Sequence, residues 1–454
     1  MNASPNTRSG EVKQVDRQKV THLQRMSLGY LPMRMKPVHF ATSFLLALCR
    51  RYRRLEWLNK TANPKATERA PEDEYVAENL FPLLQDDSEE ILSSKLKMEE
   101  FKLLRQHLNA AFNNDGAALG AAFTPYSTFG CDYSMPSMEF LSNQSKNHGN
   151  AGAFAWLVLD VSRPGKDFLS LARKIADNAT SPAAMFGRPL IDDSTEEYAQ
   201  DLSDLCGSPP LGFLKSSSDL MRHQTEALRK LAGNLQHHPT AFALRHLVLG
   251  LGSWLLVYQI RRIVNCDQTI FFCDFTGETR SRLRAQSAAC YSRQLGLFGR
   301  SLHLWMESNP SGVSTEDYEA FSKLGVKASK DLEDHFRDFS VRIGWVQPRT
   351  GTPFKYFRPQ PDTMRVLLMS VLEPNEVCTM DELAERLRRH WNLVLGLLPK
   401  DHATLLQHGY TPLDEDSDLQ ANREAFKQLA VHLGLAWEPS DGLVLFSLNP
   451  DHLL

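Results

Sequence analysis

Apolar positions recur every three to four residues through much of the chain, the period of an amphipathic helix. The spacing predicts a helix over 37–58 and a polar helical stretch over 70–114, carried by "SSKLKMEEFKLLRQHLNAAF". Residues 1–30 lack such a period and read as a mobile arm. The stretch 115–152 is rich in Gly, Ala, Ser and Asn and reads as loop with aromatic anchors. The strongest helical pattern covers 216–263, with Ser218 or a neighbouring serine as cap and His237, His238 and Pro239 as an internal break. The adjacent histidines have no third ligand at a useful spacing, so a polar turn is the better reading.

Two short apolar runs break the helical rhythm. "AFAWLVLDVS" and "QTIFFCDF" read as strands. Each continues as Asp, one residue, hydroxyl, a glycine-containing turn and a basic helix. Asp160 with Ser162, and Asp274 with Thr276, would then stand at the carboxyl ends of two strands, where open α/β sheets bind ligands.

The C-terminal third is patterned most plainly. "PDTMRVLLMSVLE", "TMDELAERLRRHWNL" and "DSDLQANREAFKQLAVHLGL" read as three helices, the second opened by Thr379 and Glu382 at capping-box spacing. "LAWEPSDGLVLFSLNP" is a hairpin. Three helices and a hairpin make a winged-helix-like domain. The expected fold class is mainly α with a small α/β element, multidomain, and a C-terminal winged-helix-like domain. Its parts are a basic arm and helix at 1–60, a mostly helical domain at 61–345 with the two strand-turn-helix units, and the winged-helix-like domain at 350–454.

Length supports more than one domain, since 454 residues exceeds what one core usually holds. The net charge of -3 is nearly neutral, so distribution matters more than total. Residues 1–60 carry twelve Lys and Arg against three acids, with Arg50, Arg51, Arg53 and Arg54 set around Tyr52 and Trp57. Residues 351–454 carry nine Lys and Arg against fifteen acids, and their third helix opens with Asp416 and Asp418. A phosphate backbone would be repelled there, which favours a protein partner, although Arg386, Arg388 and Arg389 cluster on the second helix. Seven cysteines without a CxxC pair exclude a disulfide scaffold and a zinc ribbon. No cleaved signal is read at the N-terminus. The apolar window 241–260 contains Arg245, His246 and two glycines and reads as a core helix rather than a membrane span. The expected location is cytoplasmic.

Candidate chemistry centres on "TIFFCDFTGETRSRLRAQSAACYSRQLG". Arg280, Arg282, Arg284 and Arg293 follow the glycine turn, with no acid between Glu278 and Glu307. A carboxylate with a hydroxyl can hold Mg²⁺ or a ribose, and a helix N-terminus offers N–H groups to phosphate. Against this, the chain holds no G-x-x-x-x-G-K-[ST], G-x-G-x-x-G, G-x-S-x-G or H-E-x-x-H. Asp-x-Ser/Thr is also what N-capping requires, and that reading is preferred. No catalytic residue, metal or cofactor is assigned.

The "DFTGETRSRLRAQS" turn and the terminal "NREAFKQLAVHLGLAWEPSDGLVLFSLNP" together resemble large accessory proteins encoded beside ATPases in bacterial anti-phage and DNA-modification defence islands. The resemblance covers less than half of the chain and implies a non-catalytic subunit acting with a motor or nuclease on DNA. The leading expectation is therefore an adaptor. Arg50, Arg51, Arg53, Arg54, Arg280, Arg282, Arg284 and Arg293 would engage nucleic acid, and the C-terminal domain would dock a protein partner. The alternatives are a nucleotide- or metal-dependent, nuclease-like enzyme at Asp160, Ser162, Asp274 and Thr276, and a pure protein scaffold.

Overall fold

The computed structural model describes residues 5–30, 40, 43–44, 47–48, 151–177, 209–264, 269–348, 354–440 and 443–448. The fold is mostly helical with a few short strands, and thirteen α-helices fall among the described residues. Two compact units divide it. One comprises Met1–Arg34, Pro209–Asn234 and Leu249–Leu454, and the other Met35–Ser208 and Leu235–Val248.

Helix α1 (Pro5–Leu28) occupies most of the segment expected to be a mobile arm. It packs on the long helix α9 (Thr315–Arg342) of its own unit. Val20, Leu23 and Leu28 are buried, but so are Gln24 and Ser27, and this mixed face is why no apolar period stood out. Lys19 pairs with Glu316 at 2.5 Å, and Lys323 with Asp16 at 3.4 Å. Tyr258 Oη donates to the Leu28 carbonyl at 3.1 Å, and Gln259 Nε2 donates to Tyr30 Oη at 2.6 Å.

In the second unit, α2 (Ala151–Asp160) and α3 (Arg163–Asp177) pack together. The stretch read as a strand is thus a helix. Eight of its ten residues are buried, so it shows no polar face, and an uninterrupted apolar run fits a buried helix as well as a strand. Its alanines and leucines favour the helix. The corner between the two helices falls at 161–162, and Pro164 and Gly165 lie in the first turn of α3, where a Cβ on Gly165 would collide with the Leu159 backbone. Of the helix expected over 37–58, residues 40, 43, 44, 47 and 48 are described, and all are helical and buried.

The region expected to be helical over 216–263 is so, starting earlier at Leu211: α4 (Leu211–Leu220), α5 (Arg222–Leu235) and α6 (Thr240–Val264). Ser218 is not an N-cap. It is buried inside α4, and the chain restarts at Met221. Within α6, Phe242–Ile263 is the one helix among the described residues long and apolar enough to cross a membrane, and 94% of it is buried inside the protein.

The remainder of the first unit assembles around three small sheets. Strand β1 (Phe271–Phe272) leads into α7 (Arg282–Gly299) and α8 (Ser301–Ser308), and α9 returns to β2 (Val346–Gln347), which pairs antiparallel with β3 (Tyr356–Phe357). Next come α10 (Pro361–Met369), β4 (Cys378–Thr379) and α11 (Met380–Trp391), opened by the expected Thr379–Glu382 capping box. After β5 (Leu393–Val394) and α12 (Pro399–Gln407), helix α13 (Gln420–His432) precedes the strands β6 (Ala436–Ser440) and β7 (Leu443–Phe446). The three-stranded antiparallel sheet has the order β4-β7-β6. Strand β5 leaves this group to pair in parallel with β1, so residues on both sides of 350 belong to one unit.

Parallel pairing satisfies one edge of β1 only. Phe271 N–H donates to the Asn392 carbonyl at 2.9 Å and Cys273 N–H to that of Val394 at 3.2 Å. Helix α7 satisfies the other edge through Ser287, Cys290 and Gln294, spaced three and four residues apart on one face. Ser287 Oγ lies 2.9 Å from the Phe272 carbonyl and 3.0 Å from that of Phe357. Cys290 Sγ accepts from Phe272 N–H at 3.5 Å and donates to the Ile270 carbonyl, which also receives Gln294 Nε2 at 3.1 Å. A buried backbone group left without a partner costs roughly 1–3 kcal/mol, so the stripe is a structural requirement. Replacing Ser287 with Ala, which removes only the hydroxyl, should lower unfolding free energy by about 1–3 kcal/mol in urea denaturation, with an unchanged slope.

Candidate functional site

Past β1 the backbone turns sharply. Asp274 N–H donates to the Phe357 carbonyl at 3.1 Å, and Phe275 N–H donates to Asn422 Oδ1 at 2.7 Å. Asn422, fully buried on α13, also donates through Nδ2 to the carbonyls of Cys273 at 3.0 Å and Leu395 at 2.7 Å. One amide thereby ties the ends of both parallel strands to the last helix. Phe426, one turn further on, packs edge-on against Phe275 at 5.2 Å and stacks with Phe446 at 6.1 Å.

The Asp274 carboxylate is spent inside the turn. Its Oδ1 accepts from Thr276 N–H at 2.9 Å and from the Thr276 hydroxyl at 2.7 Å, and Thr276 Oγ1 accepts from Glu278 N–H at 3.3 Å. Oδ2 is buried and meets no donor, and the residue is fully buried. Gly277 follows with φ +71°, a left-handed conformation, and a Cβ there would strike the Arg358 guanidinium. Ser281 caps α7, its side chain accepting from Arg284 N–H at 3.1 Å. Burial pushes the thiols of Cys273 and Cys290 upward, so neither is a ready nucleophile.

The four arginines after the turn have different fates. Arg284 lies over the ring of buried Tyr356 at 4.4 Å. Arg293 lies over Tyr410 at 4.9 Å and donates to the His408 carbonyl. Arg280 precedes the helix and Arg282 begins it, and both are exposed with no ion-pair or hydrogen-bond partner among the described residues. Arg358, half-buried against Gly277, brings a third guanidinium to the same turn. The sequence offered no spacing signal for Arg358, Tyr410 or Asn422, which reach the turn only through the tertiary fold. The mixed aromatic and cationic run "KYFR" was the one local hint for Arg358.

The other expected site residues are not assembled here. Arg50, Arg51, Arg53 and Arg54 lie outside the described residues. Asp160 ends helix α2, not a strand, and belongs to the second unit, whereas Asp274 belongs to the first. Ser162 accepts from Gly165 N–H at 3.3 Å, the contact of a helix cap. The paired strand-end arrangement behind the enzyme reading therefore does not exist, because its first member stands on no strand. No group of three or more His, Cys, Asp or Glu able to hold a metal occurs among the described residues.

Comparison with known families, with curated proteins and with solved structures finds no match to this chain.

Two substitutions test this geometry. Asn422→Leu removes three hydrogen bonds to buried backbone and should cost about 3 kcal/mol or more in chemical denaturation. Gly277→Ala meets both the left-handed backbone and Arg358, and should cost about 1–2 kcal/mol. Combining it with Arg358→Ala should recover part of that loss, read as a shift in the unfolding midpoint.

Proposed function

We propose that the protein is a non-catalytic adaptor that engages nucleic acid through arginines and a partner protein through its C-terminal residues. The observation that carries this reading is the contrast within one turn. Arg284 and Arg293 are consumed by aromatic and backbone contacts, while Arg280 and Arg282 stand exposed and without partners among the described residues, in the turn whose Gly277 packs against Arg358. Unpaired guanidiniums on a well-braced turn suit phosphate oxygens, which accept from arginine in bidentate geometry. Arg50, Arg51, Arg53 and Arg54 belong to this proposal as a second basic contact.

The C-terminal residues are read as winged-helix-like, supported by their order of helix, strand, helices and hairpin and by the β4-β7-β6 sheet. Helix α13, the fourth here because α12 stands between it and α11 where three helices were expected, buries Asn422, Phe426 and Ala430. Outward it presents Glu424, Gln428, Val431 and His432, and its Lys427 is held by Glu424 at 2.8 Å and Glu438 at 3.2 Å. Such a face suits a protein partner better than a groove of DNA. In keeping with the defence-island resemblance, the partner class proposed is a motor or nuclease in the cytoplasm.

Binding of labelled DNA should weaken steeply with salt. The Arg280→Ala/Arg282→Ala double variant should lower affinity and reduce the log-log salt slope by roughly 1–2, one phosphate contact contributing nearly one unit. Absence of binding at low salt would overturn the adaptor reading.

A further inference from the structure

Close in the chain to Tyr356, whose ring the Arg284 guanidinium covers, stands an exposed aromatic. Phe354 is 78% exposed, among the most exposed large apolar side chains of the described residues, and it stands two residues before the buried Tyr356. Phe354 lies just before β3, and two residues of chain hold it within about 7 Å of Tyr356. Phe357 points into the core, where its ring meets Phe271 at 5.2 Å and Tyr291 at 5.6 Å. Tyr356 and Arg358 take the opposite side, and Arg358 N–H extends the ladder by donating to the Trp345 carbonyl at 3.0 Å. Both are met there by the arginine turn, Tyr356 by the Arg284 guanidinium and Arg358 by Gly277.

From this juxtaposition we infer that segment 354–358 and the turn 276–284 together form a site for single-stranded nucleic acid, a bare base stacking on Phe354 while Arg280, Arg282 and Arg358 hold the phosphates. The inference rests on the adaptor reading and narrows its ligand. The turn carries three arginines against one acid, the exposed Glu278, so its local charge suits a polyanion. A duplex would need only the cations, because its bases are stacked inside and offer Phe354 no π-face. Single-strand binders combine a cationic track with exposed aromatics, and they are tolerant of sequence because every base has a face to stack.

Fluorescence anisotropy separates the possibilities, using labelled oligo-dT, oligo-U and a DNA duplex of the same length across a salt series. The full-length protein should bind both single strands on the order of tenfold more tightly than the duplex. Phe354→Ala should weaken single-strand binding by on the order of tenfold, leave the salt slope unchanged, and leave duplex binding as it was. Phe354→Trp should retain single-strand binding. Because the side chain is exposed, neither variant should move the unfolding midpoint, which excludes misfolding as the cause. Equal affinity for single strand and duplex, or indifference of oligo-dT binding to Phe354→Ala, would overturn the inference and leave the adaptor reading standing. Failure to bind any of the three at low salt would overturn that reading as well.

Discussion

The free edge of a two-residue strand governs the first unit. Phe271 and Phe272 have one strand beside them, β5, and on their other side hydrogen-bonding groups that no strand reaches. Helix α7 supplies what a third strand would, through Ser287, Cys290 and Gln294. Buried backbone must be paired, so this helix has to lie where it does, and its N-terminus has to sit one turn beyond the strand. The placement of Gly277, Arg280 and Arg282 follows from that.

The same constraint ties the C-terminal residues to this centre. Strand β5 lies between α11 and α12 in the chain, and Asn422 of α13 closes the far end by holding residues 273, 275 and 395 with one side-chain amide. A helix used in this way has its inward face fully committed. Its outer face, mostly polar, is what remains for a partner. Charge in the turn is sorted by a similar economy: the carboxylate of Asp274 turns inward to brace the backbone, and the guanidiniums without an aromatic or carbonyl partner turn outward.

Much of the secondary structure was legible. The capping box at Thr379 and Glu382, the break at 237–239 and the terminal strands were signalled by local chemistry that tertiary contacts did not override. Two errors share a cause. Residues 151–160 are buried all round and α1 buries polar residues with apolar ones, so neither displays the one-sided periodicity from which helices are read. The site was legible only in part. Asp274, Thr276 and the arginines stood out as a motif, but the cap reading of the Asp-x-hydroxyl pair holds only at Ser162; Thr276 closes a turn with Asp274, and the helix beyond it is capped by Ser281. What sorts Arg280 and Arg282 from Arg284 and Arg293 is the arrival of Tyr356 and Tyr410 from distant sequence, which spacing within one helix does not encode.

The central claim is that a rigidly braced turn presents arginines to nucleic acid. Hydrogen exchange of the intact protein, with and without saturating oligo-dT, addresses it most directly. The account predicts that amides of 271–275 are protected in both states and that added protection on binding falls on 276–284 and 354–358. Rapid exchange of 271–275 in the free protein, or ligand protection confined to other segments, would contradict it.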